Sequence, residues 1–475
     1  MKNGYIPQKN RKKILLISDD MLATSGVGTM AKEIIVGTSH QFNWIQIGAG
    51  INHPHHGQRL DVSKFVNDER EMDDASVTIL PNHGYGDIGL IRKIIAEEKP
   101  DALMIFTDPR YFEWLFKIEN EIRSQIPIIY YNIWDAPPAP MYNKPFYESC
   151  DALLAISKQT KNINEVVLGE ELSKTKIIKY VPHGINEKKF YPIKDKLELN
   201  TKQKELFPNG KKDFIALFNS RNIRRKNIPD LLVAWKIFED KLSQEQKDNI
   251  QLILHTDAVD NNGTDLPAVC ESLFGFKHNV FLSTQKMSQE GLNVLYNSVD
   301  VTILPSSNEG WGLSLTESMM AGTMVIATVT GGMQDQMRFV DENGIWINFN
   351  KNFMSNHYGT YKKCGEWAIP VFPRCSTLVG SPKTPYIFDD KIDPRDLAEA
   401  IMTVYKLSKT NRKKLGMEGH YWVTSDESGM SARMMCNNMI DGINQTLEKF
   451  TPKLPYNLIK IEDKKPNKSN HPIYY

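Results

Sequence analysis

The sequence contains few cysteines and no long apolar run. Its five cysteines are scattered over 475 residues and no two of them form a Cys-x-x-Cys pair, so we expect a reducing compartment and neither a disulfide framework nor a zinc site. No apolar run approaches the roughly 18 residues that span a bilayer. The run at residues 14–17 is too short for the hydrophobic region of a signal peptide and predicts a first strand. We therefore predict a cytoplasmic protein without a transmembrane segment.

The sequence also lacks an excess of either charge. Lys and Arg number 58, Asp and Glu number 57, and the formal net charge is +1. This balance does not suit a protein that binds nucleic acid through its overall charge, or an acidic solvating protein. Basic residues nevertheless cluster at 9–13 and 453–468, which leaves a nucleic-acid partner open. No Gly-x-Gly-x-x-Gly motif follows the first strand, which disfavours a dehydrogenase.

Short apolar runs alternate with helical patterns in two series. The first series comprises residues 13–18, 43–48, 102–106, 126–132, 152–156 and 177–181, and the second comprises 214–218, 250–255, 280–282, 299–304 and 324–327. Short buried strands separated by helices indicate parallel sheets covered on both faces. The sequence therefore predicts an α/β protein with two doubly wound, Rossmann-like domains. Because ligands of such sheets bind at the carboxyl ends of the strands, we expect the two domains to face each other across a cleft.

The expected domain boundaries follow from this alternation. An N-terminal domain covers residues 1–192, a Lys-rich linker covers 193–212 and a second domain covers 213–428. Within the second domain, residues 349–386 show no clear period and predict an insertion, which we interpret as an arm over the cleft. An amphipathic helix at 429–450 is expected to pack back on the N-terminal domain, and a Lys- and Pro-rich tail follows at 451–475.

Two glutamates eight positions apart, Glu309 and Glu317, form the most informative motif. An apolar run at 299–304 precedes them, glycines break it, and a helix is expected from Ser314. One carboxylate then lies in the loop and the other in the first helical turn, with backbone amides between them that can hold a phosphate. A capping box at 314–317, in which Glu317 only caps the helix, is the alternative. It does not account for Glu309.

A basic cluster follows the first strand of the second series. It contains Arg221, Arg224, Arg225 and Lys226, which cannot all be buried in apolar surroundings. A solvated turn is the ordinary outcome of such a charge run. Because a loop at the carboxyl end of a strand faces the cleft, we favour a clamp for a diphosphate, which arginine and lysine side chains suit.

Two further segments carry weaker signals. Gly26 and Gly28 precede a helix that is predicted from about Thr29, so the backbone there can approach a ligand closely. A plain strand-to-helix turn is the alternative. Three histidines within residues 53–56 suggest a metal only if a partner lies elsewhere, and we expect a solvated or substrate-facing loop instead.

With these residues in place, the chain resembles the retaining glycosyltransferases of family 4, which have the two-domain GT-B fold. The resemblance covers most of residues 13–345 and resumes at about 386–445. Glu309 to Glu317 looks like the Glu-x7-Glu motif of that family. Arg221 and Lys226 look like the arginine and lysine that grip the donor diphosphate. Further segments are similar to family motifs, namely residues 25–28, 150–157, 181–186 and 331–335.

The resemblance implies transfer of a sugar from a nucleotide diphosphate sugar, with retention at the anomeric carbon. Catalytic roles are implied for Glu309, Arg221 and Lys226, and Glu317 would hold the donor ribose. The other donor-binding residues that the resemblance implies are Gly26, Gly28, Gly310, Trp311, Gly312 and Leu313. No cofactor is expected besides the nucleotide sugar as co-substrate. Because no Asp-x-Asp pair occurs in the chain, a metal is not expected to be essential.

One departure from the family concerns the acceptor side. Many relatives carry a histidine followed by an aspartate after the strand that corresponds to residues 128–132, and here Trp134 stands where the histidine is expected. Trp134 and Asp135 are therefore candidates for shaping the acceptor site. A stacking platform and a core tryptophan are both open for Trp134.

We therefore predict a retaining glycosyltransferase whose acceptor is a glycan, a lipid-linked sugar, a protein or a small molecule. One alternative is a glycosyltransferase that acts on a modified base in DNA. Another, from a different class, is a non-catalytic sugar- or nucleotide-binding protein on the same fold. The presence of Glu309, Glu317, Arg221 and Lys226 together argues against the non-catalytic alternative. Neither the donor sugar nor an oligomeric state is predicted.

Overall fold

Two parallel sheets flanked by helices make up most of the fold, which a computed structural model describes for residues 4–208, 210–276, 278–353 and 355–454. Residue 209 of the predicted linker and residues 455–475 of the predicted tail lie outside the described residues. Within the described ranges, no helix has both the length and the apolar character that crossing a membrane requires.

The first domain is built on an eight-stranded sheet. Its strands are β1 (Lys12–Asp19), β2 (Phe42–Gly50), β3 (Leu60–Asp61), β4 (Val77–His83), β5 (Ala102–Phe106), β6 (Ile128–Asn132), β7 (Ala152–Ala155) and β8 (Ile177–Tyr180). They lie in the order β3-β4-β2-β1-β5-β6-β7-β8, and only β3 runs antiparallel to its neighbour.

Helices cover both faces of this sheet. They are α1 (Gly26–Thr38), α2 (Ser63–Arg70), α3 (Ile88–Glu98), α4 (Glu113–Phe116), α5 (Glu119–Arg123), α6 (Lys144–Glu148) and α7 (Lys158–Lys174), with short 3-10 turns at Gln8–Asn10, Pro109–Phe112 and Met141–Asn143. Along β1, Ile14 and Leu16 join one hydrophobic core while Leu15 and Ile17 join another. Successive side chains of a strand point to opposite faces, so both faces of the sheet are buried.

The second domain repeats the plan with six parallel strands. Its strands are β9 (Phe214–Asn219), β10 (Ile250–His255), β11 (Val280–Ser283), β12 (Val301–Leu304), β13 (Met324–Thr328) and β14 (Ala368–Val371), in the order β11-β10-β9-β12-β13-β14. Its helices are α8 (Lys196–Leu206), α9 (Ile228–Glu239), α10 (Gln244–Asp248), α11 (Leu266–Phe274), α12 (Gln289–Ser298), α13 (Leu313–Met320), α14 (Met333–Met337), α15 (Pro394–Lys406) and α16 (Lys409–Thr424), with a 3-10 turn at Arg224–Lys226. The predicted α/β class with two doubly wound sheets is confirmed.

Two elements lie outside the sheets of these domains. An antiparallel hairpin is formed by β15 (Cys375–Ser381) and β16 (Thr384–Lys391). The last helix of the described chain, α17 (Ala432–Lys449), packs against α1 and the edge of the first sheet formed by β7 and β8. The described part of the chain therefore crosses between the domains twice, and α17 is part of the first domain.

Several expected boundaries differ from the structure. The segment 349–386 is not wholly an insertion, because β14 lies within it and forms the edge of the second sheet. This strand is short and contains Pro370, which an edge strand tolerates but which hides the strand pattern in the sequence. Strand β4 contains Pro81, which also hides the strand pattern in the sequence. The segment expected as a linker contains α8.

Gly416 shows how closely the helices of the second domain approach its loops. A Cβ at this position would overlap the carbonyl oxygen of Gly322, so α16 must move away to accept any side chain. We expect Gly416→Ala to lower the free energy of unfolding by about 1–3 kcal/mol, the usual cost of overpacking, although alanine favours helices. Gly291→Ala in α12, where a Cβ meets its nearest neighbour at 3.5 Å, is the control. Denaturant unfolding that ranks the two variants equally would contradict this account of the packing.

Candidate active site

Two loops of the second domain meet at the point where the order of its sheet reverses. Strands β9 and β12 are neighbours, and from this pair the sheet grows through β10 on one side and β13 on the other. In doubly wound sheets, ligands bind outside the carboxyl ends of the strands at such a point. The loop at residues 220–227 follows β9 and the loop at 305–312 follows β12.

Hydrogen bonds join these two loops directly. The Ser307 amide donates to the Arg225 carbonyl at 2.8 Å, and Arg225 Nη1 donates to the Asn308 carbonyl at 2.7 Å. Asn227 Nδ2 donates to the Pro305 carbonyl at 3.0 Å. The basic turn and the glutamate loop are therefore one structural unit, although more than 80 residues separate them.

Glu309 lies buried at the centre of this unit. Its Oε2 accepts from Arg225 Nη1 at 2.9 Å and also from Lys226 Nζ. Burial alone would raise the pKa of Glu309, but Arg225 and Lys226 outweigh it and hold the pKa at about 2. The carboxylate is thus ionised at neutral pH. Two cations contact this one carboxylate, and Asp135 and Asp389 lie near enough to act on Arg225 as well, so the cluster presents cations that can bind an anionic ligand.

Arg221 does not take part in this cluster. Its side chain is exposed and makes no hydrogen bond or ion pair with any residue described in the structure. Of the two residues expected to grip the diphosphate, Arg221 and Lys226, it is Lys226 that contacts Glu309. The second cation that contacts Glu309 is Arg225. A role for Arg221 toward a diphosphate stays a prediction.

The N-terminus of α13 is open toward the cleft. The helix starts at Leu313, one residue earlier than expected, and its N-cap is Gly312 with φ 89°, a conformation that favours glycine. No side chain caps this helix. The capping-box interpretation of residues 314–317 is therefore wrong, because Ser314 lies inside the helix and cannot cap it. The first amides of α13 remain free for an anion.

Glu317 takes a different partner from the one that a capping box requires. Tyr296 Oη donates to its Oε2 at 2.7 Å, and Asn219 Nδ2 donates to the same tyrosine oxygen at 2.7 Å. Burial raises the pKa of Glu317 and the Tyr296 hydroxyl offsets part of that rise. Sequence reasoning missed Tyr296 and Asn219, since a tyrosine at the end of a helix and an asparagine at the end of a strand carry no motif.

Trp311 contributes its backbone to the loop at 305–312, while its ring packs into the protein. Its Nε1 donates to Thr316 Oγ1 at 2.9 Å, and Gln336 Nε2 donates to its carbonyl at 2.5 Å. The ring packs edge-on to His183, which follows β8 in the first domain. Behind the loop, a Cβ on Gly331 would overlap the Glu309 carbonyl oxygen, so this glycine permits the close approach.

The first domain faces α13 with the start of α1. A Cβ placed on Gly26 would lie 3.5 Å from the Leu313 side chain, so the two helix N-termini lie close to each other. Helix α1 begins three residues earlier than predicted, because Ser25 Oγ accepts from the Gly28 amide at 3.0 Å and caps it. Gly26 and Gly28 therefore lie in the first helical turn and not in a preceding loop.

Trp134 and Asp135 follow β6 on the same side of the first sheet. The Trp134 indole is 7% exposed and donates to the Ala136 carbonyl at 2.8 Å, which fits a packed side chain better than an open stacking platform. A Cβ on Gly310 would lie 3.7 Å from the Asp135 Cβ. Burial raises the pKa of Asp135 while Arg225 lowers it, so Asp135 lies on the side of the cleft that faces the charge cluster.

The histidine segment is held by hydrogen bonds within the first domain. His53 Nε2 lies 2.9 Å from Asp20 Oδ2, and the His53 amide donates to His83 Nδ1 at 3.0 Å. Across the described part of the chain, no three His, Cys, Asp or Glu side chains are grouped in a way that could hold a metal ion.

Comparison with known proteins relates the region of the charge cluster to a family of glycosyltransferases. The model of the family described as glycosyl transferases group 1 matches residues 200–354, which include both loops of the cluster. This part of the chain, with both loops of the cluster, is therefore similar to a group 1 glycosyltransferase domain. An uncharacterised glycosyltransferase of Methanocaldococcus jannaschii is 28% identical over 269 residues, or 55% of this chain. The chain spans 61% of the length of that relative.

Solved structures of low sequence identity share the fold over nearly the whole chain. Sucrose-phosphate synthase from Thermosynechococcus elongatus superposes with a TM-score of 0.64 at 17% identity, covering 92% of this chain and 100% of that chain. Anabaena HepE, in complex with UDP and glucose, gives a TM-score of 0.62 at 12% identity, with the same coverage. These likenesses show a two-domain GT-B fold.

Arg225, which belongs to the cluster, and Arg221, which does not, lead to different stability predictions. Arg225→Met removes two charge-assisted hydrogen bonds between the loops, so we expect the free energy of unfolding to fall by about 1–3 kcal/mol. Arg221→Met is the matched control, because its side chain is exposed, and it should stay within about 0.5 kcal/mol of the parent. Denaturant unfolding measures both. Equal stability of the two variants would show that the Arg225 contacts do not hold the loops together.

Proposed function

We propose that this protein is a retaining glycosyltransferase that moves a sugar from a nucleotide diphosphate sugar to a hydroxyl group of an acceptor. One observation carries the proposal: the cations at 225–226, the Glu309 carboxylate and the open N-terminus of α13 converge at the switch point of the second sheet. The match to the group 1 family over this region supports it. HepE, a protein of the same fold, has been crystallised with UDP and glucose, so UDP-glucose is the first donor to test.

The charges of the cluster fit departure of a nucleoside diphosphate. As the bond between the anomeric carbon and the phosphate oxygen breaks, negative charge grows on the leaving group. Lys226 and the amides at the start of α13 would stabilise that charge more in the transition state than in the ground state. Arg221, exposed on the same turn, is free to reach the diphosphate. Glu317, linked through Tyr296 to the end of β9, would take the ribose hydroxyls.

Glu309 is better suited to stabilising charge than to forming a covalent bond. Its carboxylate is ionised and engaged by two cations, which reduces its strength as a nucleophile and rules out a role as a proton donor at neutral pH. We therefore favour attack from the same face as the leaving group. In that step the acceptor oxygen bonds to the anomeric carbon, and the hydroxyl proton passes to the departing phosphate oxygen.

The structure gives little support to a DNA acceptor. Three of the four basic residues at 9–13 are paired with carboxylates: Arg11 with Asp74 at 2.6 Å, Lys12 with Asp101 at 2.8 Å and Lys13 with Glu98 at 3.3 Å. Lys453, the first residue of the other basic cluster, pairs with Glu119 at 2.6 Å. Cations neutralised in this way release few counterions on binding DNA.

Donor use tests the proposal. Lys226→Ala and Glu317→Ala should each weaken donor binding or kcat/KM at least tenfold, which is about 1.4 kcal/mol. Lys204→Ala and Glu271→Ala, at exposed positions on α8 and α11, serve as matched controls. The assay is release of nucleoside diphosphate from a panel of nucleotide sugars, together with calorimetric binding of the donor. Wild-type kinetics in both site variants would refute the assignment, and binding without any release would favour the non-catalytic alternative.

Lys226 also predicts a pH dependence. Burial lowers its pKa to about 8, so the positive charge is lost as the pH rises through that value. Because kcat/KM reports the free enzyme, it should fall above about pH 8 in the wild type. Lys226→Arg keeps its charge throughout this range, and its profile should stay level even if its maximum is lower. A decline of the same shape in both proteins would mean that another group titrates.

A further inference from the structure

The hairpin formed by β15 and β16 connects the second domain to the first. Its Phe388 amide donates to the Pro137 carbonyl at 2.6 Å. Tyr142 Oη of the first domain donates to the Tyr386 carbonyl at 3.0 Å, and the two rings meet edge to face. The hairpin therefore lies across the opening between the domains.

The base of the hairpin is anchored on the loop that carries Glu309. Asn308 Nδ2 donates to Asp389 Oδ1 at 2.7 Å, and the Asp390 amide donates to the Ser307 carbonyl at 2.9 Å. Asp390 is fully buried and accepts from Ser355 Oγ at 2.6 Å and Asn356 Nδ2 at 3.0 Å. A rigid base of this kind fixes the position of the hairpin relative to the charge cluster.

A cavity of about 190 Å³ lies between the hairpin and the first domain. Asp108 and Arg110, which follow β5, and Trp134 and Asp135, which follow β6, form the wall on the first domain. Thr384 and Ile387 of β16 form the opposite wall. Since β1 and β5 are the neighbours from which the first sheet grows in opposite directions, this wall lies beside the switch point of that sheet.

The cavity adjoins the charge cluster through Asp135. A Cβ on Gly310, the residue after Glu309, would lie 3.7 Å from the Asp135 Cβ and 3.1 Å from the Ile133 carbonyl oxygen. A group held in the cavity is thus separated from the Glu309 loop by a single layer of atoms. This is the side of the cleft opposite to α13, where a donor would bind.

The polar groups of the cavity suit hydroxyl groups better than a phosphate. Arg110 is its only cation, and its guanidinium is engaged: Nε donates to Asp108 Oδ1 at 2.8 Å, and Nη1 donates to Thr384 Oγ1. Asp108 is paired with Arg110 and Asp135 adds a further carboxyl group, so the lining has no excess positive charge to hold an anion. Carboxylates accept hydrogen bonds from hydroxyls, and Ile387 adds apolar surface for the C–H face of a ring. The volume is below the ~300–1,000 Å³ typical of drug-sized ligands, so it suits one small ring.

We propose that the hairpin completes an acceptor pocket and that this pocket takes an uncharged polyhydroxylated ring, a sugar or a cyclic polyol, in preference to a sugar phosphate. The proposal rests on the proposed glycosyl transfer. It makes Thr384 and Ile387, residues of the donor-binding domain, determinants of acceptor choice. It also distinguishes this chain from its structural neighbours that are named as sugar-phosphate synthases.

Filling the cavity tests the role of the hairpin. Ile387→Trp should lower kcat/KM for the acceptor at least tenfold, while the donor dissociation constant and the slow release of nucleoside diphosphate in the absence of acceptor stay within twofold of the wild type. Leu378→Trp, on β15 of the same hairpin and 62% exposed, is the matched control and should leave all three measurements unchanged. Thermal unfolding temperatures equal to that of the wild type would show that both variants keep the folded hairpin. Equal acceptor kinetics in the two variants would overturn the proposal.

Acceptor pairs test the chemical class. Glucose, fructose and inositol are assayed against their phosphorylated forms, and the uncharged member should be used with at least tenfold higher kcat/KM. Asp108→Asn frees the Arg110 guanidinium and keeps an N-cap that asparagine also supplies, so it should shift the preference toward the phosphorylated member at least fivefold. A wild-type preference for phosphorylated acceptors would overturn the proposal. So would a rate of nucleoside diphosphate release that no sugar or polyol increases. A chain that neither binds nor cleaves any donor would instead remove the proposed function itself.

Discussion

The buried ion cluster of Glu309, Arg225 and Lys226 is the interaction on which the rest of the second domain's functional surface depends. Burying charges is costly unless each is paired, and losing one partner of a buried pair typically costs about 3–5 kcal/mol. Here the pairing joins the loops after β9 and β12, in addition to the hydrogen bonds from Ser307 to Arg225 and from Asn227 to Pro305. The cluster therefore fixes the loops and places cations at the switch point of the sheet. Stability and anion binding have the same physical source in this domain.

Contacts beside the cluster hold the two domains against each other. The N-termini of α1 and α13 meet at Gly26 and Leu313, so two positive helix ends point into the same space. Behind them, Lys158 holds the seam between the domains, because its amide donates to Asp335 at 2.9 Å and its Nζ donates to the Ile347 carbonyl at 2.8 Å. A cleft lined with positive potential on one side and carboxylates on the other suits a reaction that separates a diphosphate from a sugar.

Much of the fold followed from the sequence, because short apolar strands are a local signal. Strands β4 and β14 were missed where proline broke that signal. The segment around Glu309 was also predictable, since its glycines and carboxylates are close in sequence. The choice of Arg225 over Arg221 as the partner of Glu309 was not, because it depends on how the turn at 224–226 packs on a loop more than 80 residues away. The same holds for Tyr296, which reaches Glu317 from another helix.

If the proposed acceptor pocket is correct, the hairpin would couple binding of two substrates. Its base is hydrogen-bonded to residues 307 and 308 of the loop that carries Glu309. On the same strand, β16, Phe388 and Tyr386 contact the first domain. Opening the cleft would break those contacts, each a hydrogen bond worth about 0.5–1.5 kcal/mol, without disturbing the buried base at Asp390. The hairpin would then move with the donor-binding domain. An acceptor pocket built partly from it is therefore complete only when the domains are closed, so that the reacting hydroxyl meets the donor in a site from which water is excluded.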